Sequence, residues 1–119
     1  MTEPTVTAMI VTYNRLPLLK EAIQKVLAQD TSALKHLIVV NSASTDGTHE
    51  YLDQLTDPRL IVTHMSENLG GAGGFNWGMR EFMMLTQDDY VWVMDDDSMP
   101  TEDALSKLLA LFAAQPKAG

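Results

Sequence analysis

The run from Thr5 to Tyr13, TVTAMIVTY, contains no turn former and is apolar or β-branched at nearly every position. A strand of that composition has no wet side and reads as buried on both faces, which suggests a parallel sheet covered by helices. Three further short apolar runs follow, His36–Val40 (HLIVV), Leu60–His64 (LIVTH) and Tyr90–Met94 (YVWVM), each bounded by polar or turn residues. The segments between them change period. Leu16, Leu19, Ile23, Val26 and Leu27 fall at helical spacing, with Pro17 tolerated in the first turn, and predict an amphipathic helix ending near Gln29. A short helix is expected over about Thr48 to Leu55. Phe75 to Leu85 predicts another, carrying Phe75, Met79, Phe82, Met83 and Leu85 on one face. Pro100 and Thr101 open a last helix with Glu102 and Asp103 in its first turn, where acidic residues suit the dipole. Strands alternating with helices across short loops imply a doubly wound α/β fold with right-handed crossovers.

In such a sheet, ligands bind beyond the carboxyl ends of the strands. That rule gathers four polar segments on one edge: Tyr13-Asn14-Arg15, Asn41 to Gly47, Asn68 to Gly74 and Asp95 to Asp97. Three consecutive aspartates at a strand end repel one another unless a cation lies between them. Mg²⁺ or Mn²⁺ is the natural counter-ion, because such ions take one or two carboxylates and complete their shell with water and phosphate oxygens. The bland alternative is a solvated loop capping the next helix. Asn68-Leu-Gly-Gly-Ala-Gly-Gly74 reads as a glycine-rich loop that lets backbone approach a phosphate or sugar, or else as a flexible turn. Arg15 suits a diphosphate, Tyr13 a base, and Asn41 and Asp46 a base or ribose; singly, each also reads as an ordinary surface or capping residue.

Composition excludes other classes. The chain has 119 residues, eight Lys plus Arg against sixteen Asp plus Glu and a net charge of −8, so no basic stripe exists for nucleic acid. The absence of cysteine excludes a thiol nucleophile or Cys-ligated zinc and fits a reducing, cytoplasmic setting. The longest apolar stretch, Leu108 to Ala114, is far short of a bilayer span. The glycines miss the dinucleotide fingerprint, since the position of its third glycine is Asn76, and no Walker lysine follows. An aspartyl phosphatase also sets Asp-x-Asp at a strand end, but after its first strand, whereas here the motif follows the fourth. His36, His49 and His64 show no ligand spacing and read as surface or strand positions. The eight methionines read as core filler, and Trp77 and Trp92 as packing residues.

Taken together, Ile10–Arg15 (IVTYNR), Ile38–Thr48 (IVVNSASTDGT), Asn68–Gly78 (NLGGAGGFNWG) and Met94–Asp97 (MDDD) resemble the nucleotide-binding half of family 2 glycosyltransferases of GT-A fold. Within the family, the glycine segment is most similar to galactofuranosyl- and rhamnosyltransferases of cell-wall or capsule assembly. The resemblance implies a Rossmann-like sheet of about four parallel strands, ordered 3-2-1-4, with helices on both faces. It implies that residues 1–119 form a single nucleotide-sugar-binding domain, the acceptor-binding half and the general base lying beyond Gly119.

Position by position, the resemblance implies that Thr12, Tyr13 and Arg15 line the nucleotide and its diphosphate. Asn41 stands where the family usually has an aspartate on the uracil ring. Asn68, Gly70 and Gly71 flank the uridine and donor sugar, and Asp95 and Asp96 lie toward the ribose and diphosphate. Asp95 and Asp97 bind Mn²⁺ or Mg²⁺, Asp97 as the principal ligand. The implied chemistry is inverting transfer from a UDP-sugar, such as UDP-galactofuranose, or from dTDP-rhamnose, to a saccharide acceptor. The full-length enzyme is expected in the cytoplasm, peripheral at the inner membrane face; the other reading is a non-catalytic nucleotide-sugar-binding module. In the 3-2-1-4 order, Tyr90–Met94 becomes an exposed edge, through which self-association is expected.

Overall fold

The computed structural model describes residues 4–113. Four strands and four helices alternate: β1 (Val6–Thr12), α1 (Leu16–Leu27), β2 (Leu34–Asn41), α2 (Thr48–Gln54), β3 (Leu60–His64), α3 (Gly70–Leu85), β4 (Tyr90–Asp95) and α4 (Ala104–Ala113). The strands form one sheet in the order β3-β2-β1-β4, and all three pairings are parallel. Register places Thr12 beside Asn41, Asn41 beside His64, and Val11 beside Asp95. The residues that end the strands therefore share one edge.

β1 is central, and Val6 to Ile10 are fully buried, as their composition requires. Val6, Ala8 and Ile10 pack with Leu19, Ile23 and Val26 of α1, Leu52 of α2 and Leu105 of α4 on one face. Met9, Ile38 and Val40 face the other way, against Met79 and Phe82 of α3. One face thus carries three helices and the other a single one. The edge strand β4 pays for this asymmetry in exposure: Val93 is 46% exposed.

Two expected elements differ. The glycine segment is not a loop: Gly70 onward is already α3. Glycine is required there for packing. A Cβ on Gly74 would lie 2.5 Å from Val11 Cγ1, and one on Gly78 would collide with Met9 Sδ, so these two positions, one turn apart, let the helix lie directly on the sheet. That seating turns Met79 and Phe82 inward but leaves Met83, Met84, Leu85 and Trp77 exposed, contrary to their reading as core. The last helix starts at Ala104, after Glu102 and Asp103. Its start is held from outside: Gln29 Oε1 accepts the Leu105 N–H at 2.9 Å, and Gln29 Nε2 donates to the Thr101 carbonyl at 2.8 Å.

Candidate functional site

The carboxyl edge of the sheet opens into a cleft of about 540 Å³, within the size range of small-molecule sites. Three chain segments build it. The end of β1 supplies Val11, Thr12, Tyr13 and Arg15; the start of α3 supplies Asn68, Gly70 and Gly71; the end of β4 supplies Asp95, Asp96 and Asp97. Ser42, after β2, completes the wall. The residues expected at the site lie on this cleft except Asn41, which is 1% exposed, and Asp46.

The three aspartates differ sharply. Asp96 is buried, accepts the Thr12 hydroxyl at 3.0 Å, and faces Arg15 at 3.5 Å. Asp95 and Asp97 are exposed, and among the described residues Asp97 pairs with the Arg15 guanidinium, at 3.6 Å. The middle carboxylate is thus anchored to β1, while its neighbours stay open to solvent, Asp97 with Arg15 beside it. Their hard oxygens match the donor preference of Mg²⁺ or Mn²⁺, and two such oxygens suffice where water and phosphate complete the shell. Arg15, half exposed, carries the positive charge that, among the described residues, is set against Asp96 and Asp97.

The glycines divide by task. Gly70 has φ +78°, which suits glycine, and its N–H is accepted by Asn68 Oδ1 at 2.8 Å. Open space surrounds the Cβ positions of Gly70 and Gly71, on the cleft side, whereas Gly74 and Gly78 face the sheet. Asp46, weighed as a base contact, serves the scaffold instead. It accepts the Leu16 N–H at 3.0 Å, capping α1, and the Thr48 N–H at 3.2 Å. Burial pushes its carboxyl up, but the Thr48 hydroxyl and these backbone donors outweigh burial and leave it below the usual aspartate value.

Sequence spacing missed one cluster. Among the described residues, His49, Asp53 and His64 bring three ligand-type atoms within 4.8 Å of one another. His49 and Asp53 are one helical turn apart on α2, a spacing visible in the sequence; His64 joins them only because β3 lies beside β2. Ser42 was missed because a small residue after a strand carries no chemical signal of its own.

The glycosyl transferase family 2 model matches residues 7–119. The chain belongs to that family. It is 36% identical over 108 residues to the galactofuranosyltransferase GlfT1 of Mycolicibacterium smegmatis, a match spanning 88% of this chain and 34% of that protein. It is 34% identical to the colanic acid biosynthesis glycosyl transferase WcaA of Escherichia coli, described as putative, over 90% of this chain and 37% of that one. Among solved structures, a mannosyltransferase of Pyrobaculum calidifontis in complex with GDP-Man and Mn²⁺ superposes with a TM-score of 0.77 at 29% identity, covering 98% of this chain and 34% of that one. The family 2 chain described here therefore spans about a third of the length of these relatives. Its four-stranded order matches the GT-A fold. No helix among the described residues is long and apolar enough to cross a membrane. The expected general base, beyond Gly119, lies outside the described residues.

Proposed function

We propose that this chain forms the donor half of an inverting glycosyltransferase that takes a UDP-linked hexose, UDP-galactofuranose being the leading candidate, and passes it to a saccharide acceptor in cell-wall or capsule synthesis. The carrying observation is the single cleft shared by the Tyr13–Arg15, Asn68–Gly71 and Asp95–Asp97 segments. Family membership and the galactofuranosyltransferase relative support the choice of donor.

In this reading Tyr13, about half exposed, borders the base, and Gly70 and Gly71 leave room for the sugar beside the start of α3. Arg15 exchanges its contacts with Asp96 and Asp97 for the diphosphate, a better bidentate partner. Asp95 and Asp97 would hold Mn²⁺ or Mg²⁺, which when bound neutralises charge building on the departing diphosphate. Asp96, fixed by Thr12, keeps the other two carboxylates in place. The acceptor, the base that deprotonates it and peripheral attachment at the inner membrane face belong to the longer enzyme.

Titration calorimetry tests the donor half directly. UDP is expected to bind in the presence of Mn²⁺ and to lose most of its affinity when the ion is chelated. Equal binding with and without the ion, or tighter binding of dTDP than of UDP, would count against this reading.

A further inference from the structure

The carboxyl ends of β3, β2 and β1 are joined by one row of hydrogen bonds that begins well outside the cleft. Asp53 Oδ1 on α2 lies 2.8 Å from His64 Nε2. His64 Nδ1 lies 3.0 Å from Asn41 Nδ2, and Asn41 Oδ1 accepts the Ser44 backbone N–H at 3.1 Å. The Ser44 hydroxyl accepts the Asn14 backbone N–H at 3.0 Å, and Asn14 Oδ1 accepts the Thr45 N–H at 2.7 Å.

The polarity of the row follows from its obligatory donors. A backbone N–H only donates, so the Asn41 atom facing Ser44 is the oxygen and the atom facing His64 is the amide nitrogen. His64 Nδ1 must then accept. The ring proton is left on Nε2, where Asp53 receives it. The row reaches Asn14, held at φ 51°, and it spans Ala43, at φ 61°, inside the loop that the Asn41–Ser44 bond closes; non-glycine residues adopt such angles uncommonly. Both adjoin the cleft: Asn14 lies between Tyr13 and Arg15, and Ala43 follows Ser42.

A metal reading of His49, Asp53 and His64 fits less well. The two rings stack 3.6 Å apart and 2° from parallel, so their in-plane lone pairs run in separate planes and do not meet at one ion as placed. Both rings instead share the Asp53 carboxylate.

We infer that His64, backed by Asp53, is a positioning residue for nucleotide binding: its Nδ1 lone pair orients the buried Asn41 amide, which holds the 42–45 loop and, through Ser44, the Tyr13–Arg15 turn. The inference rests on reading the cleft as the donor site. His64→Leu removes the acceptor, whereas His64→Asn keeps a side-chain oxygen near the Nδ1 position. In calorimetric titrations of UDP with Mn²⁺, His64→Leu is expected to weaken binding about tenfold and His64→Asn to restore it to within about threefold of the parent. ¹⁵N NMR of the parent chain is expected to show His64 as the Nε2–H tautomer. Unchanged affinity in His64→Leu, equal loss in both variants, or a His64 proton on Nδ1 overturns the positioning role while leaving the donor site intact. Failure of the folded parent to bind UDP overturns the donor reading itself and the positioning role with it.

Discussion

β4 has aspartates at both ends, and the two groups do opposite things. Before the strand, Asp88 accepts the Thr7 hydroxyl and lies within hydrogen-bonding distance of His36 Nδ1, both at 2.6 Å, and its side chain is only 7% exposed. Asp89 accepts the Thr5 N–H at 2.8 Å. After the strand, only Asp96 is similarly engaged, again by a β1 threonine, while Asp95 and Asp97 stay exposed. Both ends use one device, a β1 hydroxyl on a neighbouring carboxylate. At the amino end donors hold the acids in place, the Asp88 side chain almost fully buried and Asp89 tied to Thr5 though still exposed. The carboxyl end opens because its loops diverge toward helices on opposite faces of the sheet.

The sharpest way to break this contrast is charge removal at each end. Asp97→Asn is expected to cost about a hundredfold in Mn²⁺-dependent UDP affinity by calorimetry while leaving thermal stability nearly unchanged, since the side chain is exposed. Asp88→Ala is expected to show the reverse: a loss of about 2 kcal/mol in denaturant unfolding, with UDP affinity retained. If both substitutions altered binding and stability alike, the two ends would not be functionally distinct.

Acid titration sharpens the same comparison. Burial pushes the Asp88 carboxyl up, but the Thr7 and His36 hydrogen bonds, the His36 charge and a bond from Thr5 outweigh it and hold the group below its ordinary value of 3.8. A carboxylate depressed in the folded state contributes stability that is fully present above the unfolded pKa and is lost as pH falls through the folded one. Unfolding free energy should therefore drop on acidification below about pH 4, and less steeply in Asp88→Asn.

Smaller still, Thr7→Val should cost about 1 kcal/mol in stability alone, whereas Thr12→Val, at the other end of β1, should also weaken UDP binding by releasing Asp96. Finally, β4, an edge strand of the sheet among the described residues, is expected to pair with a second copy. Sedimentation at rising concentration should show dimer, and a sample that stays monomeric would remove that expectation.

The elements that were legible share a reason. β1 is buried on both faces because it carries no charge and no turn former, its Thr7 and Thr12 hydroxyls being satisfied by Asp88 and Asp96, and Leu60–His64 coincides with β3 because turn residues bound it. Less legible was the glycine segment, since glycine permits a loop as readily as a close helix. What settled it was Val11 and Met9 beneath Gly74 and Gly78, residues more than sixty positions away in the chain. Asn41 shows the same limit from the other side: its position at a strand end predicts a ligand contact, yet the structure buries it with both ends of its amide occupied.

The sequence by itself determined the alternation of strands and helices, the parallel sheet, the edge on which the site lies and the acidic residues that mark it. All of these follow from periodicity and from the rule that the loops after parallel strands share one edge of the sheet. Only the tertiary structure decided which carboxylates are free and which are held, and that His49 and His64 meet over Asp53. Those outcomes depend on register between strands distant in sequence, where one residue of slip would turn Thr12, Asn41 or His64 to the opposite face.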